Sequence, residues 1–269
     1  MSICFELPEG HPHVARVTID RPSQANALDP PSLHALATAW RRIAEDADIR
    51  CAVLTGAGDR VFCAGMDMKT TIPAAQRFAR GERVDAATFE GLRSVATALL
   101  AGFDLKTPLI CAVNGHARAG GCDLMLASEI RYAVPHATFA LEEVALGLYP
   151  TGNATVLLPR QIGWVHAHEL LLTAAPIDAA RALEVGLINR VVPADQLMAT
   201  ALATADTIAA NAPLAVRETR RGVREILHLS LDDAYRRQEE IGRELRRTDD
   251  AREAQHAFIE KRKPLWTGK

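Results

Sequence analysis

The chain has 269 residues, 48% of them hydrophobic and 24% charged, the proportions of a soluble globular protein with length for one large domain or two modest ones. Its 31 basic and 33 acidic side chains leave a formal charge of −2, which gives no electrostatic basis for binding nucleic acid or an anionic membrane. No apolar run approaches the roughly 18 residues that span a bilayer, the N-terminus lacks the basic flank and apolar core of a signal peptide, and the five cysteines (Cys4, Cys51, Cys63, Cys111, Cys122) show no metal-type spacing, so the expectation is a cytoplasmic protein with reduced thiols and no metal site.

In chain order, the alternation from His13 to Asp20 predicts a half-exposed strand that Pro22 stops. Asp29 is placed to cap a helix with Pro30 at its first position, and Leu33, Leu36, Ala37, Trp40 and Ile43 then fall on one face. Ile49 to Thr55 is almost wholly apolar and reads as a covered strand, so the chain opens with a βαβ unit and belongs to the α/β class. The following Gly56-Ala57-Gly58 has Val61 where a dinucleotide-binding loop needs its third glycine, and no helix follows; it reads as a turn.

Val61 to Cys63 is a short apolar piece ending in Ala64-Gly65, where glycine permits a sharp turn that frees the N–H of Met66. Asp67 fits the first turn of a following helix. Residues 70–93 predict a helical segment lying over a site, and Val95 to Phe103 a further helix. Leu109 to Val113 is a buried strand, broken by Asn114-Gly115. Gly120-Gly121 then opens a helix, leaving free N–H groups at its positive end, with Asp123 about one turn on. An extended piece from Thr138 to Val144 puts Glu143 on the inward parity of Phe139 and Leu141, and Glu142 outward. An inward carboxylate needs a partner, such as Arg131, or a job. Gly147 to Asn153 is turn-rich. Beyond His166 the chain is mostly helical, with caps at Asp178 and Thr248, a short strand at Leu187 to Val192, and amphipathic helices over residues 194–210, 213–227, 230–248 and 249–261.

Taken together and in order, Ile19-Asp-Arg-Pro, Asn26-Ala-Leu, Phe62-Cys-Ala-Gly-Met-Asp67, Val113-Asn-Gly, Gly120-Gly-Cys-Asp123, Phe139-Ala-Leu-Glu-Glu143 and Ala257-Phe-Ile-Glu-Lys-Arg-Lys-Pro264 give a chain that resembles the enoyl-CoA hydratase/isomerase (crotonase) family over essentially its whole length. The resemblance implies a spiral of repeated ββα units over residues 1–195 carrying the active site, and a helical C-terminal region, 196–269, used for trimerisation and for one edge of the CoA site. It implies a homotrimer or a hexamer built as a dimer of trimers. The implied substrate is an acyl-CoA thioester of fatty acid metabolism, with no separate cofactor.

Carried over residue by residue, the resemblance makes the N–H groups of Met66 and Gly120 an oxyanion hole and Asp123 and Glu143 the catalytic carboxylates. Gln24, Ala25, Ala64, Gly65, Asp67 and Met68 are assigned to CoA and substrate, as are Phe258 and Lys261, which in some members approach from a neighbouring subunit. Three positions depart from the pattern. Asp123 is one methylene shorter than the usual glutamate, Thr151 stands where dienoyl-CoA isomerases need a further aspartate, and Ala119 replaces a common glycine. The implied reaction is hydration of a 2-enoyl-CoA. A Δ3-Δ2-enoyl-CoA isomerase working with Glu143 alone, or a weakly catalytic acyl-CoA-binding protein, stays open beside it.

Overall fold

The computed structural model describes residues 2–269, and in it the chain deals its strands alternately into two sheets. Strand β1 (Ile3–Glu6) pairs antiparallel with β2 (Val14–Ile19), and helix α1 (Pro30–Glu45) carries the chain to β3 (Cys51–Gly56), parallel to β2. The expected βαβ start is therefore present. Asp29 caps α1 by accepting the N–H of Ser32 at 2.9 Å, and the predicted apolar face is buried.

From β3 onward each pair of strands divides between the sheets. β4 (Val61–Cys63) begins the second sheet and leads to helices α2 (Thr71–Ala79), α3 (Ala86–Arg93) and α4 (Val95–Ala98). β5 (Leu109–Val113) returns beside β3, while β6 (His116–Arg118) joins β4 and runs into α5 (Gly120–Leu126). β7 (Ile130–Ala133) and β8 (Thr138–Ala140) repeat the step and are followed by α6 (Ala154–Gln161) and α7 (Trp164–Thr173). β9 (Ile177–Asp178), helix α8 (Ala179–Glu184) and β10 (Arg190–Val191) complete the sheets, six strands in the order β1-β2-β3-β5-β7-β10 and four in the order β4-β6-β8-β9. This is the repeated ββα arrangement.

Two buried asparagines hold the crossings between sheets. Asn114 accepts the Gly56 N–H at 3.0 Å and donates to the Gly58 carbonyl at 2.9 Å, and Asn26 donates to the carbonyls of Ala57 and Val61 at 2.9 and 2.7 Å. The Gly56–Arg60 stretch is accordingly a turn from one sheet to the other. Helix α9 (Leu197–Ala209) packs on β3 and β5, and α10 (Pro213–Ile226), α11 (Leu231–Leu245) and α12 (Asp249–Glu260) follow, the last two capped by Ser230 and Thr248. Among the described residues no helix is long and apolar enough to cross a membrane.

The structure corrects the sequence expectations at several points. The short strands β1, β6 and β9 carry too few residues to show a pattern. The helix expected over Val95 to Phe103 stops at Ala98, because the Trp40 indole N–H takes the Ala98 carbonyl at 2.9 Å and Leu100 turns left-handed with φ 56°. The extended piece expected to reach Val144 ends at Ala140, and Glu143 opens a 3-10 turn, Glu143–Leu146.

Candidate active site

The second sheet and its turns bring two unpaired N–H groups together. Gly65 adopts φ +85°, a conformation that side chains disfavour, so the chain reverses directly after β4. Leu28 clamps the turn from both sides, its N–H on the Gly65 carbonyl at 2.8 Å and its carbonyl receiving the Asp67 N–H at 3.0 Å. The Met66 N–H between them, like that of Gly120 at the start of α5, has no acceptor among the described residues. A Cβ on Gly65 would sit 2.9 Å from the Gly120 nitrogen, and one on Gly120 would sit 3.6 Å from the Met66 nitrogen. The two nitrogens thus lie close together. Helix α5 has only seven residues, so its dipole adds little and the donors themselves carry the effect. Ala119, just before them, holds φ +43° and is fixed by its N–H on the Ala140 carbonyl at 2.9 Å. Such a conformation costs an alanine roughly 1–3 kcal/mol and persists only where surroundings enforce it.

Three carboxylates border the same cavity of about 680 Å³, and two of them, Asp123 and Glu143, are buried. Asp123, 3% exposed, projects from α5, and its Oδ1 accepts the N–H groups of Asn153 and Ala154 at the start of α6, each at 2.6 Å. Burial pushes its carboxyl above the ordinary range, and those two donors pull it partway back. Gly152 lies against this carboxylate so closely that a Cβ there would overlap it. Glu143, 9% exposed, is different. Its Oε2 is buried with no hydrogen-bond partner among the described residues. Burial pushes its carboxyl up to about 6, with the charges of Asp123 and Glu142 adding to the rise. Arg131, the cation that could have neutralised it, instead donates to the carbonyls of Met125, Leu126, Ser128 and Leu187 and to Gln161. Glu142, expected to face outward, also borders the cavity, because the strand ends at Ala140 and its alternation does not carry on; it is half-exposed and pairs with Arg118 at 3.1 Å.

Most of the rest of the wall is apolar and comes from distant segments: Ile72 of α2, Leu92 of α3, Val95 and Leu99 around α4, and Leu146 and Leu148 of the loop after Glu143, with Arg93, Tyr149 and Thr151 as polar members. Residues 70–93 therefore do lie over the site. A cavity with two neighbouring hydrogen-bond donors, two buried carboxylates and a largely apolar wall can hold a carbonyl carrying an apolar chain, stabilise negative charge on its oxygen, and move a proton beside it.

Of the residues singled out in the sequence, Ala64, Met66, Met68, Gly120, Asp123 and Glu143 line this cavity, and Gly65 supports the turn behind it. Asp67 does not reach it. Burial raises its carboxyl, but the N–H of Lys69 and the Arg21 guanidinium outweigh that and hold it below the usual carboxylate range. Its role is to fix the Met66 turn to the Arg21 loop. Gln24 is exposed and Ala25 half-buried on the neighbouring turn, where the Ala25 carbonyl accepts the Ala64 N–H at 3.1 Å; neither lines the cavity. Phe258 is 86% exposed and Lys261 ends α12 with φ 56°, and a single chain does not bring either to the cavity. Sequence reasoning passed over Gly152 and Asn153. The signal available was an asparagine directly before a helix, which reads as an ordinary cap.

A model of the family described as "Enoyl-CoA hydratase/isomerase" matches residues 9–269. The chain is 42% identical to an enoyl-CoA hydratase of Mycobacterium tuberculosis, over 96% of this chain and 94% of that one. It is 38% identical to an (E)-benzylidenesuccinyl-CoA hydratase of Thauera aromatica, over 95% and 96% of the two chains. The crystal structure of an enoyl-CoA hydratase from Bacillus anthracis superimposes with a TM-score of 0.88 at 32% identity, covering 100% of both chains.

Proposed function

The chain belongs to the enoyl-CoA hydratase/isomerase family, and from that premise we propose that it is a hydro-lyase that adds water reversibly across the 2,3 double bond of a 2-enoyl-CoA thioester. The observation that carries this reading is the convergence, on one apolar-walled cavity, of two unpaired N–H groups and two buried carboxylates.

In this reading the thioester oxygen accepts the N–H groups of Met66 and Gly120. As water attacks C3, negative charge moves through C2 onto that oxygen, and the two donors stabilise the enolate. Loss of one such donor typically costs about 3–4 kcal/mol of barrier lowering. Asp123 holds the attacking water through Oδ2 and takes its proton as the C3–O bond forms. Glu143, whose carboxyl titrates near 6, delivers a proton to C2. Proton exchange with solvent then returns both groups to their starting states. The reverse sequence dehydrates a 3-hydroxyacyl-CoA. The exposed Phe258 and Ile259 of α12, Leu227 at the end of α10 and Leu231 at the start of α11 fit burial between copies in a homotrimer, where Phe258 and Lys261 would border the CoA of a neighbouring subunit.

The test is turnover by the purified protein across 2-enoyl-CoAs of increasing chain length and branching, with products identified by mass and chromatography. Formation of the 3-hydroxyacyl-CoA is the expected result. Absence of hydration together with conversion of 3-enoyl-CoA to 2-enoyl-CoA would overturn it in favour of the isomerase, which needs only the unpaired Glu143.

A further inference from the structure

Asn153 stands directly before α6, where an asparagine ordinarily caps the helix, yet its side chain makes no cap bond. Its amide donates instead to the Leu99 carbonyl at 2.7 Å and to the main-chain carbonyl of Asp123 at 2.9 Å. The free N–H groups at the start of α6, Asn153 and Ala154, are taken by the Asp123 carboxylate reaching over from α5. Carboxylate and amide have exchanged tasks. The carboxylate caps the helix, and the amide ties the helix start to α5 and to the segment after α4. Asn153 is itself buried, so these bonds are made out of reach of water.

This arrangement restricts Asp123 from several sides while leaving it on the cavity. Oδ1 is held by two short bonds, a Cβ at Gly152 would overlap Cγ and Oδ2, and the main chain of Asp123 is held by the Asn153 amide.

We infer that Asn153 is a positioning residue for Asp123. Its side-chain amide sets the distance between α5 and the start of α6, so that one carboxylate oxygen is locked and the other is presented to the attacking water. The last clause rests on the hydratase reading above; the clamp itself does not.

The test is a double-mutant cycle on the full-length protein with Asn153→Ala and Asp123→Ala, read in two ways. In turnover of a 2-enoyl-CoA, Asn153→Ala is expected to lower kcat by about tenfold or more with KM changed less than twofold, and to change kcat less than twofold when Asp123 is already alanine. The near-isosteric Asn153→Asp, which removes the donors but keeps the volume, should lose at least as much as alanine. Equal losses in both Asp123 backgrounds, or full activity in Asn153→Asp, would overturn the positioning role. The four proteins of the cycle are also unfolded in urea, a measurement that needs no turnover. Non-additive midpoints support the clamp, and additive midpoints overturn it. A wild-type chain that hydrates no 2-enoyl-CoA would count against the proposed reaction alone, and the urea cycle would still decide the clamp.

Discussion

The two sides of the cavity bury their carboxylates in opposite ways. On the α5–α6 side, Asp123 is enclosed by donors: two main-chain N–H groups on one oxygen, a glycine at its back and an asparagine behind its carbonyl. On the β8 side, Glu143 sits at the head of a 3-10 turn with a buried oxygen that no described residue satisfies and two like charges nearby. The first is a structural joint that also faces the cavity. The second is a charge the fold tolerates without compensating, which costs stability and is retained where chemistry needs a proton held near neutral pH. In the proposed reaction this is where fold and function separate: Asp123 serves both, Glu143 only the second.

The largest expected effect breaks the second side. Glu143→Gln removes the titrating proton while keeping the shape, and should lower kcat for hydration by about 10³-fold, within the range for a general acid–base group, with acyl-CoA binding retained. Single-turnover rates and calorimetric binding of a saturated acyl-CoA check both halves. Turnover within tenfold of the wild type would remove Glu143 from the mechanism.

The next effect is on stability, and its sign differs between the two sides. Asp123→Ala leaves the N–H groups of Asn153 and Ala154 without their acceptor, and should destabilise the fold by about 2–4 kcal/mol. Glu143→Gln should do the reverse at high pH. The Glu143 carboxyl titrates near 6 in the folded chain, above its ordinary 4.5, so folding favours its protonated form. The stability this contributes is full below pH 4.5 and is lost as pH rises through 6, a loss of up to about 2 kcal/mol that the amide does not suffer. Urea unfolding should therefore find Glu143→Gln about 2 kcal/mol more stable than wild type at pH 8 and closely matched at pH 4. A pH-independent difference would mean that the carboxylate is not destabilised by its site.

The same division explains what could be read from the sequence. Helix α1 was legible because its cap, its proline and its apolar spacing agree, and β3 because its apolar run is unbroken. The turn at Gly65 and the helix opening at Gly120 were legible because both depend on local backbone chemistry. The burial of Glu143 was reached from strand parity, although the strand ends at Ala140 and a 3-10 turn does the burying. Asp67 was assigned to the site through the family resemblance, while its partners are Arg21 and the next turn. The Asn153 amide was not legible at all. Its acceptors lie 54 and 30 positions away, and no local pattern distinguishes a cap from a brace. The apolar wall likewise assembles from segments between Ile72 and Leu148 that share no periodicity.

The smallest effect sharpens the charge argument on the β8 side. Glu142 adds to the rise of the Glu143 carboxyl, but it is half-exposed and paired with Arg118 at 3.1 Å, so most of its field is cancelled or screened. Glu142→Gln should lower the pH midpoint assigned to Glu143 in the kcat profile by about 0.3 pH unit. Arg118→Ala, which exposes Glu142 without its cation, should raise that midpoint by a similar amount. The two changes act on the same neighbour with opposite sign, and both should fade at high ionic strength, because an interaction through solvent is screened while burial of Glu143 itself is not. Midpoints that move in the same direction, or that persist undiminished in 1 M salt, would mean that the pair acts on the shape of the 3-10 turn and not on the charge of Glu143.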